Sequence, residues 1–369
     1  MTGTGTPEAS GILPGARSPS TLQAPADPRA VLGLVRSTAR RQLFGLLLLI
    51  GALAVAVVLS LALGARDIPP TVVVQALFGQ LPADHYDAAV VIGERVPRTV
   101  LGVVVGMSLA AAGVLMQGIT RNPLVDGGVL GIELGAACAV VIAIVILGVT
   151  DPSGYFWFAL VGAAITTIVV NGLSWLSTRV SAAVGLVLIG AAVAATLAAF
   201  INLLIIRDEA AFARYRFWSV GQLAGRGDTL VDLWPFAAIG LVLALCCGGR
   251  LNALMLGNQA AIGLGVRVRR VQIGVAVVAV LLCAAATAAV GPVAFVGLVG
   301  AHLGRLIVGA DQRRLIPYGM LCGALLLVGA DVLGRLGPGN GEIPVGIMTA
   351  LVGTPFFVVL ARRRRLVQA

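Results

Sequence analysis

The chain has no lysine; all 26 of its basic residues are arginine. A Walker-type phosphate loop is therefore excluded, because its lysine must reach the β- and γ-phosphates. Schiff-base chemistry is excluded for the same reason. Histidine is almost absent, with only His85 and His302, and no His-Glu-x-x-His run offers a zinc site. The five cysteines (Cys138, Cys246, Cys247, Cys283 and Cys322) lie in apolar stretches without a C-x-x-C pair. They read as small buried hydrophobes rather than ligands or a disulfide framework. Charge is scarce as well. Charged residues make up 11% of the chain, against about 25% in an ordinary soluble domain.

What is present is apolar. The 369 residues are 59% hydrophobic with a mean hydropathy of +1.00. The 48 glycines show no period of three, which excludes a collagen-like repeat. A soluble protein of this length would need a far more charged surface, so the composition points to an all-α polytopic membrane protein. Residues 1–41 are rich in Gly, Pro, Ser, Thr and Ala and read as a disordered cytoplasmic tail. The first apolar run begins too late and runs too long for a signal peptide. Residues 42–369 form the membrane domain.

A span needs roughly 20 apolar residues to cross about 30 Å of hydrocarbon. Ten candidates lie near 43–64, 98–117, 127–149, 154–176, 183–205, 231–248, 271–290, 293–308, 315–333 and 343–361. With both termini cytoplasmic, the inside segments hold most of the arginines, including Arg250, Arg267, Arg269, Arg270, Arg313, Arg314 and the run 362–365. This is the positive-inside pattern, and it accounts for the net charge of +10 without nucleic acid. A minority remains outside: Arg66, Arg95, Arg98, Arg207, Arg214, Arg216, Arg226 and Arg335. Gly102-x-x-x-Gly106 and Gly300-x-x-x-Gly304 read as close helix contacts, with a moving hinge as the alternative.

Four stretches are polar or glycine-rich where lipid-facing helices would not be: Gly93–Thr99, Met116–Leu124, residues 250–270, and Gly291 through Pro317. Here the chain resembles the FecCD family, the membrane permeases of ABC importers for iron–siderophore complexes, haem and cobalamin. The matching runs are RVPRT, QGITRNPL, GVLGI, LNALMLG, FVGLV, the His302/Arg305 pair, the Asp311–Pro317 run and EIPVGIMTALVGTPFF, in family order over roughly residues 43–365.

The resemblance implies a type II importer permease of ten helices, paired with a second permease subunit (a copy or a homologue) around a central path. It implies two ABC ATPase subunits on the cytoplasmic side, which bind the ATP, and a substrate-binding protein outside. This chain would bind no cofactor or metal and perform no bond chemistry. Arg95, Arg98 and Arg335 match family positions that pair with glutamates of the binding protein. Anchoring to lipid headgroups is the alternative reading for such arginines, and Arg214, Arg216 and Arg226 stand open between the two.

The segment 250–270 matches the family's coupling helix. Leu251, Leu254, Met255 and Ala260 are expected to form one apolar face of a short helix, and Gly257 and Gly265 to break the segment into two short pieces. With Leu256, Gly257, Gly263, Leu264 and Gly265 they make the expected ATPase contact. Asn258-Gln259 stands where the family carries an acidic residue, so docking would use fewer ion pairs. The family's cytoplasmic gate would fall at Ala182, Ala183 and Val184. Its usual small hydroxyl residues are displaced to Ser177, Thr178 and Ser181.

Glu133 lies a short way into the third span, where a carboxylate is costly and seldom faces lipid. Lining the path, pairing with Arg121 and snorkelling all remain open for it. His302 reads as a packing residue, with a proton relay as the alternative. The expected function is translocation of a ferric siderophore. A haem or cobalamin importer is the near alternative. An ion-coupled secondary transporter, with Glu133 and Asp331 as its only candidate carboxylates, is the distant one.

Overall fold

The computed structural model describes residues 28–64, 68–82, 85–126, 131–149, 151–176, 182–206, 208–337 and 341–365. Residues 1–27 of the expected tail, Arg66, Thr178, Arg179, Ser181 and Arg207 lie outside these. Among the described residues there are helices and connecting turns and no strands.

The helices are α1 (Pro28–Ala62), α2 (Pro70–Leu77), α3 (Tyr86–Val90), α4 (Val96–Thr120), α5 (Ile132–Val145), α6 (Pro152–Leu176) and α7 (Ala182–Ile205). They continue with α8 (Glu209–Ser219), α9 (Thr229–Met255), α10 (Asn258–Gly263), α11 (Val268–Val290), α12 (Val296–Val308), α13 (Gln312–Arg335) and α14 (Val345–Arg365). Seven helices are long and apolar enough to cross a membrane. Three shorter apolar ones, Ile132–Val145, Val296–Val308 and Val345–Val359, fill the remaining sites of the ten expected spans. The first helix begins at Pro28, inside the segment expected to be tail. Proline suits the first helical position, and the Ala, Leu, Val and Arg that follow are compatible with helix. Residues 45–369 form one compact unit, separate from residues 1–44.

Within that unit, α4 is the central post. Its most apolar window is 83% buried, against 17% for α1 and 22% for α9, whose exposed Ile239, Val242, Leu243 and Leu245 are suited to lipid. The chain can pack around α4 because α4 carries glycine at its contacts. A methyl group on Gly106 would stand 2.6 Å from the Gly323 carbonyl of α13, and one on Gly113 would overlap the backbone of Gly297 in α12. Helix backbones therefore meet where larger side chains would hold them apart. The Gly102/Gly106 spacing is a packing device.

The near-continuous apolar run after Arg270 is broken at Gly291–Phe295. Gly291 adopts φ +84° against the Trp218 carbonyl. Phe295 is left-handed at φ +68°, uncommon for a bulky residue. Its N–H donates to Asp126 at 3.2 Å, so a carboxylate from the α4–α5 connection caps α12 from outside the helix.

A second irregularity precedes α4. Pro97 offers no N–H, and the Val96 N–H reaches back five residues to the Val91 carbonyl. The result is a π-helical turn, Val91–Arg95, inside an apolar helix that runs from Tyr86 to Thr120. Arg95 and Arg98 are thus helical residues at the end of the bundle, not loop residues.

Candidate functional site

Polar groups collect at the two ends of the bundle. At one end, three helix termini converge: the end of α1, the start of α4 and the end of α13. Arg95 is buried and donates through Nη1 to the carbonyls of Leu61 and Ala62, both at 2.7 Å. Arg335 is buried too, and its Nη1 donates to the carbonyls of Ser60 at 2.8 Å and Leu63 at 3.3 Å. The last carbonyls of a helix lack intrahelical partners and carry its negative dipole end. Two arginines from other helices supply both the donors and the charge. Ser60 and Thr99 hydroxyls add a 2.7 Å bond between α1 and α4.

Asp331 of α13 neutralises part of this charge. It is 3% exposed. It accepts from Arg98 Nε at 3.1 Å and Nη2 at 2.8 Å, and from Arg335 Nη2. Arg98 turns its remaining edge outward, where Nη1 donates to Glu342 at 2.7 Å. The arginines expected to dock a partner therefore divide. Arg95 and Arg335, at 6% and 7% exposure, bind α1 and Asp331 inside the protein. Only Arg98 reaches the surface of the cluster. Sequence matching located all three positions, but it could not see that the end of α1 lies beneath two of them. Asp331, considered there only as a coupling carboxylate, and Glu342, not considered at all, complete the cluster. Asp331 stands four residues before Arg335, a helical spacing that signals an ion pair.

The neighbouring arginines differ among themselves. Arg226 is buried, and burial lowers its guanidinium from the usual value. Arg214 hydrogen-bonds Tyr155, and the exposed Arg216 lies over the Phe217 ring at 5.4 Å.

The opposite end carries Arg121, Arg250, Arg267, Arg269, Arg270, Arg313 and Arg314. Here α9 runs past the expected span boundary of 248 and ends at Met255. Gly257, at φ +106°, turns the chain into the short α10, and Gly265, at φ +77°, turns it out again towards α11. Both values favour glycine. The expected single apolar face does not form. Leu251 and Leu254 sit on the inner face of α9, at 0% and 1% exposure, and join the core. Ala261, not Ala260, is the buried alanine of α10. The outward apolar set is Met255, Leu256, Ile262 and Leu264, the last 65% exposed, with Ala260, Gly263 and Gly265 also exposed. The break at Gly257 falls where expected, and it separates the inner face of Leu251 and Leu254 from the exposed Ala260.

This turn is tied to the bundle at its base. Asn252 donates to Asp311 at 2.7 Å and accepts from the Gln312 N–H at 2.7 Å. The Asn252 bond, with help from the Arg313 N–H and nearby arginines, holds the Asp311 carboxyl below its usual range. Arg121 donates to Asn258 at 2.6 Å. Of the three readings left open for Glu133, pairing with Arg121 is not formed. Glu133 lies instead in the first turn of α5, where the helix N-terminus favours a carboxylate. Arg305 donates to Gln117 at 3.1 Å, and His302 packs edge-on against Phe356, as a packing residue would. Ala182, Ala183 and Val184 form the first turn of α7, and their side chains lie outside those described. Cys138, Cys283 and Cys322 are buried as expected, whereas Cys246 is exposed on α9.

Comparison with known proteins agrees with this architecture. A sequence model of the FecCD transport family matches residues 52–363. The chain is 37% identical over 322 residues to the ferric enterobactin transport system permease protein FepD of Escherichia coli (strain K12), covering 87% of this chain and 94% of that protein. It is 36% identical over 332 residues to the Fe(3+)-citrate import system permease protein YfmD of Bacillus subtilis (strain 168), covering 89% and 97%. A solved structure described as an inward-facing conformation of a metal-chelate type ABC transporter superposes with a TM-score of 0.74 at 29% identity, covering 87% of this chain and 99% of that one. A bundle of this build, matched to one family model over most of its length, belongs to the FecCD transport family.

Proposed function

We infer that the chain is the permease subunit of an ATP-driven importer that carries a ferric siderophore across the cytoplasmic membrane. One observation carries the reading: Met255, Leu256, Ile262 and Leu264 are exposed together at the arginine-rich end. An apolar set outside the lipid span marks a protein contact. Two glycine turns and the Asn252–Asp311 bond hold it in place. ATPase subunits on the cytoplasmic side are the partner that the family supplies for such a contact. ATP then belongs to those subunits. A second permease subunit completes the path. The substrate-binding protein docks at the opposite end, where Arg98 meets the surface. The positive-inside rule supports a cytoplasmic arginine-rich end, with both termini on that side of the membrane.

An ion-coupled mechanism fits less well. It needs carboxylates poised for a coupling ion, yet Asp331 is already occupied by two arginines. Haem and cobalamin remain alternative cargoes, because the hemin transport system permease protein HmuU of Yersinia pestis is also 38% identical over 278 residues.

The test is uptake of radiolabelled ferric siderophores, ferric citrate, haem and cobalamin by iron-starved cells with and without this chain. Selective loss of one ferric chelate, restored by the intact chain, is the expected result. Selective loss of haem or cobalamin uptake would reassign the cargo, and unchanged uptake of every chelate would overturn the reading.

A further inference from the structure

The Arg98 guanidinium has two unlike edges. Its Nε/Nη2 edge faces Asp331, whose side chain is 4% exposed and is shared with Arg335. That carboxylate cannot leave without stripping a buried arginine. The Nη1 corner faces Glu342, whose side chain is 34% exposed. Arg98 is the only hydrogen-bond partner of Glu342 among the described residues. Its backbone is fixed, because the Ile343 N–H donates to the Gly334 carbonyl at 3.0 Å and Gly334 has no room for a side chain there. Rotation of the Glu342 side chain alone would vacate Nη1. The cluster also borders a cavity lined by Gly64, Tyr86, Glu94 and Arg98, so the corner opens to space rather than to packed chain.

We propose that docking at Arg98 is a carboxylate exchange, in which Glu342 occupies the corner of the guanidinium that a carboxylate of the binding protein takes over. The inference rests on the docking role given to Arg98 above. The chain thereby carries an internal competitor for its own docking site. Exchange conserves the number of ion pairs at Arg98, so the contact adds less to docking than an unoccupied arginine would, and it releases more readily.

The experiment measures binding of the substrate-binding protein that supports uptake to the complete transporter in nanodiscs, across a salt series. A part-exposed pair is worth up to about 1 kcal/mol, or roughly fivefold in Kd. Glu342→Gln is expected to tighten binding about threefold to fivefold at low salt, with a steeper salt dependence. Arg98→Gln is expected to weaken it and to make Glu342→Gln silent in the double variant. If Glu342→Gln weakens binding or leaves it unchanged while Arg98→Gln weakens it, the exchange is wrong and the docking role of Arg98 stands. If Arg98→Gln has no effect, the docking role itself fails and the exchange with it. Melting of both variants is recorded alongside, and a variant that binds less only in proportion to its lost folded fraction counts as no effect.

Discussion

Replacing Asp331 by asparagine keeps its volume and removes one charge. Two guanidiniums then lose their shared carboxylate, and the two losses are unequal. Arg98 is 15% exposed at its side chain and keeps Glu342, so water and that carboxylate compensate it in part. Arg335 is 2% exposed at its side chain and keeps only hydrogen bonds to Ser60 and Leu63. Its charge stays buried beside the end of α1. Breaking a buried pair by removing one partner costs about 3–5 kcal/mol. The partial rehydration of Arg98 places Asp331→Asn near the lower limit, about 3 kcal/mol. At about 2–4 °C per kcal/mol for domains somewhat smaller than this chain, melting should fall by about 6–12 °C.

The buried thiols of Cys138, Cys283 and Cys322 report unfolding to a thiol-reactive dye. Cys246→Ala with Cys247→Ala first removes the more accessible pair. Asp331→Leu combined with Arg335→Met removes both charges and should recover all but about 1–2 kcal/mol. An Asp331→Asn variant that melts with the parent would refute the reasoning. It would mean that Arg335 is hydrated, and that the cluster is an open docking surface rather than a clamp on α1.

Three other outcomes follow from the packing and the charges. Gly106→Val should prevent accumulation of folded protein, measured by size-exclusion yield, whereas Gly329→Ala should be neutral because nothing lies within 4 Å of its added methyl. Leu264→Asp should leave melting unchanged and uncouple the partner ATPase, read as ATP hydrolysis without uptake. Leu251→Asp, at a fully buried position, should destabilise the fold itself. Because the folded value of Asp311 is depressed, its stabilising contribution is present above the ordinary carboxylate range and is lost as pH falls through the folded value. Asn252→Ala should flatten that acid limb in a pH–melting series, and an unchanged limb would remove Asp311 from the account.

Long apolar runs are the strongest signal a sequence carries, because a span must bury about 20 residues in hydrocarbon whatever its neighbours are. That is why the seven long spans and the break at Gly291 were legible, with the three shorter apolar helices falling within the other expected spans. The arginine positions were legible too, but their burial was not. Whether Arg95 and Arg335 face a partner or a helix end depends on where α1 stops in space, which no local pattern encodes. The coupling segment was legible in part: its breaks at Gly257 and Gly265 were readable, its shared apolar face was not. Its apolar residues are real, but Gly257 rotates those after it relative to Leu251 and Leu254, so one periodicity could not describe both halves. Asp126 left no signal, since a cap supplied from another helix connection has no fixed spacing from Phe295.

The central claim is that ATP on partner subunits drives this permease. The most direct measurement is uptake of the ferric siderophore into cells that depend on this chain, with ATP depleted while the proton gradient is maintained, and with the gradient collapsed while ATP is maintained. Uptake should stop in the first condition and persist in the second. Uptake that survives loss of ATP and stops with the gradient would contradict the account and make the chain an ion-coupled transporter.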